Sequence, residues 1–308
     1  MPDIQPPSID SLAAERWAAM AARADSAPWL HEEVARRMAE RLPFIRLPVA
    51  RWADWEPQRG GMQGHALVAA HYPGAESFLV QPRTRPVPDE AQEPTPRWWQ
   101  RFSRTRSASR AGAPAAVAEP PEGAMQMVWA NMLAHQQADP ARLLAGWHRA
   151  LAVDGFVMFS CLGPDTLREL RDLYARLGWP APAQDFTDMH DWGDQLVAAG
   201  FAEPVMDMER ITLTFQTPVR LLAELRGLGR NLHVARFPAL RGRQWRARLH
   251  EELSEQLRQP ASQGPLALSF EVIYGHALKP APRLAVSAHT EIALDDMKAA
   301  LRERRKLS

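Results

Sequence analysis

Between residues 49 and 80 the chain spells out a strand, a glycine-bearing turn, a helix and a second strand, and nothing else in it limits the fold as much. Val49–Ala53 is a short strand candidate. The Gly60–Gly64 region opens a helix that runs through Ala70, Tyr72-Pro73-Gly74 stops it, and Ser77–Val80 is strand again. Two strands joined through a helix in so short a span lie parallel and side by side. The alternation resumes at Met125–Leu133, with strands expected at Phe156–Cys161, Val205–Phe215 and Leu266–Leu278. Helices are expected at Pro140–Leu151, Asp165–Leu177, Asp191–Ala199, Pro218–Leu228 and Trp245–Leu257. Asp139 reads as an N-cap and Gly200 as a C-terminal stop. Strands alternating with helices indicate an α/β doubly wound sheet, here ending in a long edge strand, Leu266–Leu278.

Composition matters where the pattern breaks. The chain has 27 prolines, and eight of them fall in residues 82–123 with seven arginines and almost no aliphatic periodicity. Such a segment cannot bury enough apolar surface to offset its chain entropy, so it reads as a disordered insertion. Within it, Arg97–Arg110 carries five arginines beside Trp98-Trp99. That stretch is either a docking segment for an anionic partner or a solvated loop. The expected organisation is a helical segment at 1–47, the first half of the α/β domain at 48–81, the insertion at 82–123, the second half at 124–280 and a tail at 281–308.

The formal charge of +1 gives no global field for nucleic acid or membrane. Cys161 is the single cysteine, so no internal disulfide can form. No 18-residue apolar run and no leader pattern is present, which makes a cytoplasmic protein the expectation.

Several blocks in fixed order carry a resemblance. They are Asn131-Met132-Leu133-Ala134-His135, Trp147-His148-Arg149-Ala150-Leu151, Asp154-Gly155-Phe156-Val157-Met158-Phe159-Ser160, Gly163-Pro164-Asp165-Thr166-Leu167-Arg168-Glu169-Leu170, Asp188-Met189-His190-Asp191-Trp192-Gly193-Asp194 and Phe270-Glu271-Val272-Ile273-Tyr274-Gly275-His276. The chain resembles the malonyl-acyl-carrier-protein O-methyltransferases of biotin synthesis, a family of class I S-adenosylmethionine-dependent methyltransferases. The resemblance implies a Rossmann-like seven-stranded sheet, S-adenosylmethionine as cofactor and acyl carrier protein as partner. Transfer to a carboxylate, already a nucleophile at neutral pH, needs orientation more than acid-base help.

The resemblance also places the cofactor positions: Asp54, Glu56, Gln58, Gly60, Gln81 and Asn131. In the family the loop after the first strand reads Asp-x-Gly-x-Gly-x-Gly. Asp54 and Gly60 fit, whereas Glu56 and Gln58 stand where glycines belong, and Gln81 stands where an acid would hold the ribose. Glycine there lets the backbone approach the ligand. Pro57 is expected to hold Glu56 extended, with its charge beside the ligand's carboxylate. Like charges about 4 Å apart at an effective dielectric near 20 cost roughly 4 kcal/mol, about a thousandfold in affinity. Ala24-Asp25 corresponds to a family Tyr-Asp pair without the tyrosine. Weakened cofactor binding is therefore expected, with a non-catalytic protein-binding scaffold as the alternative.

His135 is the candidate general base, against the commoner role of a packing residue. Cys161 reads as buried filler. Asp188, His190, Asp191 and Asp194 read as a loop and helix cap, so no metal is expected. Arg168, Arg171 and Arg226 are candidates for a substrate carboxylate or a carrier protein's acids, against ordinary solvated helix faces.

Overall fold

The computed structural model describes residues 8–24, 26–81, 115–258 and 264–282. Two helices come first, α1 (Ser11–Ala21), N-capped by Asp10, and α2 (Trp29–Ala39). Then follow β1 (Arg51–Trp55), the short α3 (Pro57–Gly60), α4 (Met62–His71), β2 (Glu76–Val80), β3 (Ala115–Val117) and β4 (Met125–Ala130). The second half holds α5 (Pro140–Ala150), β5 (Leu151–Leu162), α6 (Arg168–Arg176), α7 (Met189–Ala198), β6 (Ala202–Phe215), α8 (Pro218–Leu228), α9 (Arg243–Gln256) and β7 (Leu266–Leu278). Asp139 caps α5, and Gly200 follows α7 at φ 96°.

The seven strands form one sheet in the order β3-β2-β1-β4-β5-β7-β6. The five strands β3 to β5 are mutually parallel, while β7 runs antiparallel to both β5 and β6. This is the Rossmann-like seven-stranded sheet of class I methyltransferases. It corrects one expectation: Leu266–Leu278 is interior, and β6 takes the edge. The pattern in β7 agrees, since ten of its residues from Leu266 to Ala277 are buried, as a strand covered on both sides requires. β3 falls within residues 82–123, where no strand was expected. Residues 82–114, which hold Arg97–Arg110 and Trp98-Trp99, lie outside the described residues, as do Asp25 and the tail from 283.

Strand periodicity divides the core between the two faces of the sheet. Trp52, Met127, Trp129, Phe156, Met158, Phe270 and Val272 pack with α2, α4, α6, α8 and α9. Ala53, Val128, Ala130, Val157, Phe159 and Ile273 pack with α5 and α7 around Trp147 and Trp192. Among the described residues no helix is long and apolar enough to cross a membrane.

Gly275 pairs with Phe159 across β5 and β7, and a Cβ on Gly275 would overlap the Phe159 ring. Gly275→Ala should destabilise the domain by about 1–3 kcal/mol through overpacking, read as a lower urea midpoint. Gly227→Ala, which meets nothing within 4 Å, should not behave this way.

Candidate functional site

The order of the sheet reverses between β1 and β4, and the crevice beyond their carboxyl ends is where doubly wound sheets hold ligands. Here that crevice is built almost wholly from the chain's own polar side chains.

Asp54, at the end of β1, is buried, and its Oδ2 lies 2.9 Å from Nδ1 of His65 on α4. Burial raises the Asp54 pKa from the usual carboxylate range, and His65 opposes that shift. The His65 ring rests on Trp52, centroids 4.7 Å apart. Glu56 is not extended: it adopts the left-handed conformation, φ 53° and ψ 53°. The chain must swing from strand into α3 within this residue, and the Glu56 amide still donates to the Val80 carbonyl at 2.8 Å. Nor does its carboxylate stand free to repel an anion, because it pairs with Arg59, and both side chains are about nine-tenths buried.

Arg59 organises the rest. Its second guanidinium nitrogen donates to Oε1 of Gln136, which also accepts from Trp17 Nε1 at 2.6 Å. Both partners are donors only, which fixes the amide orientation. The Gln136 nitrogen then donates to His135 Nε2 at 3.1 Å and to the Leu228 carbonyl at 3.4 Å. His135 is thus held neutral with the proton on Nδ1, which is buried without a partner. Burial pushes its pKa well below the ordinary value. In this arrangement the acceptor nitrogen of His135, the candidate base, is engaged by Gln136. The Arg59 carbonyl accepts from His31 Nδ1 at 2.6 Å, and burial lowers the His31 pKa from 6.5 to about 4.

Asn131 closes the crevice from β4. Its amide nitrogen donates to the carbonyls of Gly60 and, at 2.8 Å, of His31, while its oxygen accepts from Ser160 Oγ at 2.6 Å. The glycines serve packing. A Cβ on Gly60 would lie 2.9 Å from the Asn131 carbonyl, and one on Gly64 would lie 2.6 Å from Ala35 Cβ. The amino end of α4 would be an anion site in many such folds. Here Glu32 fills it, accepting from the amides of Gln63 at 3.1 Å and Gly64 at 3.3 Å. Gln58 lines a small cavity of 40 Å³ against the α1–α2 connection, with Trp17, Pro28, Arg59 and Gln136 also in its wall. Gln81 is exposed, its amide bonded to the Val117 carbonyl at 2.9 Å. A larger groove of 450 Å³ adjoins that cavity between the α1–α2 connection and α8, sharing Trp17, Pro28 and Gly227.

The structure therefore brings Asp54, Glu56, Gln58, Gly60, Asn131 and His135 to one crevice and leaves Gln81 at its rim. Arg59, Gln136, Glu32 and His65 were missed. The Glu56–Arg59 spacing of three is that of an ion pair on a helical turn, a signal available beforehand. Gln136, Glu32 and His65 meet the crevice through tertiary contacts that local spacing does not reveal. Arg168 lies 3.7 Å from Asp165 and Arg171 donates to the Gln184 carbonyl at 2.8 Å, so neither enters the crevice. Burial pushes the Cys161 thiol up, away from nucleophilic character. Asp188 caps α7, and among the described residues no three metal-ligating side chains converge.

Comparison with known proteins gives the site its context. Malonyl-[acyl-carrier protein] O-methyltransferase of Laribacter hongkongensis is 39% identical over 272 residues, covering 85% of this chain and 87% of that one. The protein of the same name from Gallionella capsiferriformans is 37% identical over 266 residues, covering 84% and 87%. This chain belongs to the malonyl-[acyl-carrier protein] O-methyltransferase family. S-adenosylmethionine is the methyl donor of that methyltransferase class. A methyltransferase structure from Bacillus halodurans is similar at a TM-score of 0.48 and 12% identity, covering 80% of this chain and 100% of that one. Phosphoethanolamine N-methyltransferase 2 of Haemonchus contortus, in complex with phosphomonomethylethanolamine and S-adenosylhomocysteine, is similar at 0.41 and 13%, covering 83% and 54%. The fold assignment rests on the strand order and family membership rather than on these likenesses. No family model matches the chain.

Two outcomes follow for this member of the family. Arg59→Ala leaves Glu56 buried without its partner and should cost about 3–5 kcal/mol. Adding Glu56→Gln should restore part of that loss, read in a denaturant double-mutant cycle. His31 takes its proton near pH 6.5 when unfolded and near 4 when folded. Between these values the unfolded chain binds the extra proton, so stability is full above pH 6.5 and falls as the pH drops towards 4. The loss from His31 should reach about 3 kcal/mol at about 1.4 kcal/mol per pH unit. A His31→Gln variant should show a shallower decline in melting temperature over that window.

Proposed function

We propose that this chain is a malonyl-carrier-protein methyltransferase relative in which S-adenosylmethionine binding, and methyl transfer with it, is weakened or lost. One observation carries the reading: the buried Glu56–Arg59 pair, tied to Gln136, stands in the crevice between β1 and β4. Asn131 bonds that crevice shut against Gly60. As arranged here, the buried Glu56–Arg59 pair does not fit the cofactor. Retention of the fold with a closed crevice supports a role as a protein-binding scaffold, with acyl carrier protein as the partner implied by the family.

A second reading has its own support. Identity of 39% over most of the chain favours the relatives' activity, methylation of the malonyl group on acyl carrier protein. It would need the crevice to open on binding.

Calorimetric titration with S-adenosylhomocysteine, beside thermal melting, separates the two. The native chain should show no saturation below millimolar ligand and no rise in melting temperature. A Glu56→Gly, Gln58→Gly, Arg59→Ala variant should gain affinity at least about tenfold, provided circular dichroism shows it folded. Micromolar binding by the native chain, with a raised melting temperature, would overturn the closed-crevice reading and install the enzyme.

A further inference from the structure

Residues 225–250 carry seven arginines and no acidic residue, in a chain whose formal charge is +1. The stretch spans the end of α8, the connection to α9 and the first half of α9. Arg226, Arg243 and Arg246 are exposed and form no ion pair among the described residues. Arg241 is stacked instead, its guanidinium 4.1 Å from the Phe237 ring centroid and 4.3 Å from that of Trp245. The connection also exposes Val234, Phe237 and Leu240, the last completely.

The charge order of α9 runs against its own stability. Arg243 and Arg246 sit at its amino end, which has no acid in its first turn and no side-chain cap. Glu251, Glu252 and Glu255 sit towards its carboxyl end. The helix dipole favours the reverse arrangement, so folding alone gives no reason for the arginines to stand where they do. Their position does relate to the crevice. The stretch begins beside Leu228, whose carbonyl accepts from Gln136, and Arg226 and Arg230 form part of the wall of the 450 Å³ groove.

We propose that this arginine-bearing face, centred on the α8–α9 connection and the amino end of α9, docks the acidic surface of an acyl carrier protein. It rests on the carrier-protein partner read above and assigns that partner a surface. Exposed arginines interspersed along the chain with exposed apolar side chains match an acidic protein surface with an apolar ridge. A uniform polyanion would leave Phe237 and Leu240 without a counterpart.

The test is fluorescence anisotropy of labelled holo-acyl carrier protein against the full-length native chain and against Arg243→Glu/Arg246→Glu and Leu240→Asp variants. These positions are exposed, and melting curves will show whether folding is intact. The native chain should bind, and binding should weaken about tenfold as salt is raised across the screening range. Charge reversal should weaken it at least about tenfold, and Leu240→Asp severalfold. Native-like binding by both variants would overturn the surface while leaving the partner. No binding by the native chain at low salt would remove the partner and the surface together. Tighter, arginine-dependent binding to phosphatidylglycerol vesicles or to a DNA oligonucleotide would assign the face to those ligands instead. Titration with S-adenosylhomocysteine reports on the crevice independently, so failure of the closed-crevice reading is distinguishable from failure of this one.

Discussion

The amide of Asn131 is the contact on which the rest of the candidate site depends. It joins β4 to the α3 turn through Gly60, to α2 through His31 and to β5 through Ser160. With the two carboxyl ends of β1 and β4 tied this closely, the turn after β1 has no room to bow outwards. Arg59 is carried inward, and a buried guanidinium is tolerable only when its donors are met. Glu56 supplies the charge and Gln136 the second acceptor. The left-handed backbone at Glu56 and the neutral His135 are consequences of that solution, not separate features.

The same logic accounts for the glycines in the crevice wall. At Gly60 and Gly64 backbone and Ala35 leave no room for a Cβ. Glu32 meets the free amides at the amino end of α4. The crevice is thus self-satisfied electrostatically, with acid, guanidinium, amide and helix end answering one another.

Much of the fold was legible in the sequence. Period-two and period-3.6 patterns located α5, α8, β7 and the β1–α4–β2 unit nearly to the residue, because each signal is local. The place of β7 between β5 and β6 was not legible, since strand order is fixed by pairing between distant segments. In the site, the resemblance named Asp54, Gly60 and Asn131, and these three lie together at the ends of β1 and β4. The setting of Glu56 differs from the expectation because its charge is met by Arg59, three residues on. Gln136 and Glu32 could be recognised only once α1, α2 and the crevice were seen together.

The antiparallel seat of β7 also sets an order of assembly. Within this sheet β6 has β7 as its sole strand neighbour, and β5 on that side has β7 as well. As the chain leaves the ribosome, β6 emerges well before the strand that will hold it. Until Leu266–Leu278 has been made, β5 presents an open edge and β6 is a fourteen-residue strand with no ladder. The final described strand thus closes the middle of the sheet last, and any interruption upstream of it strands two segments at once.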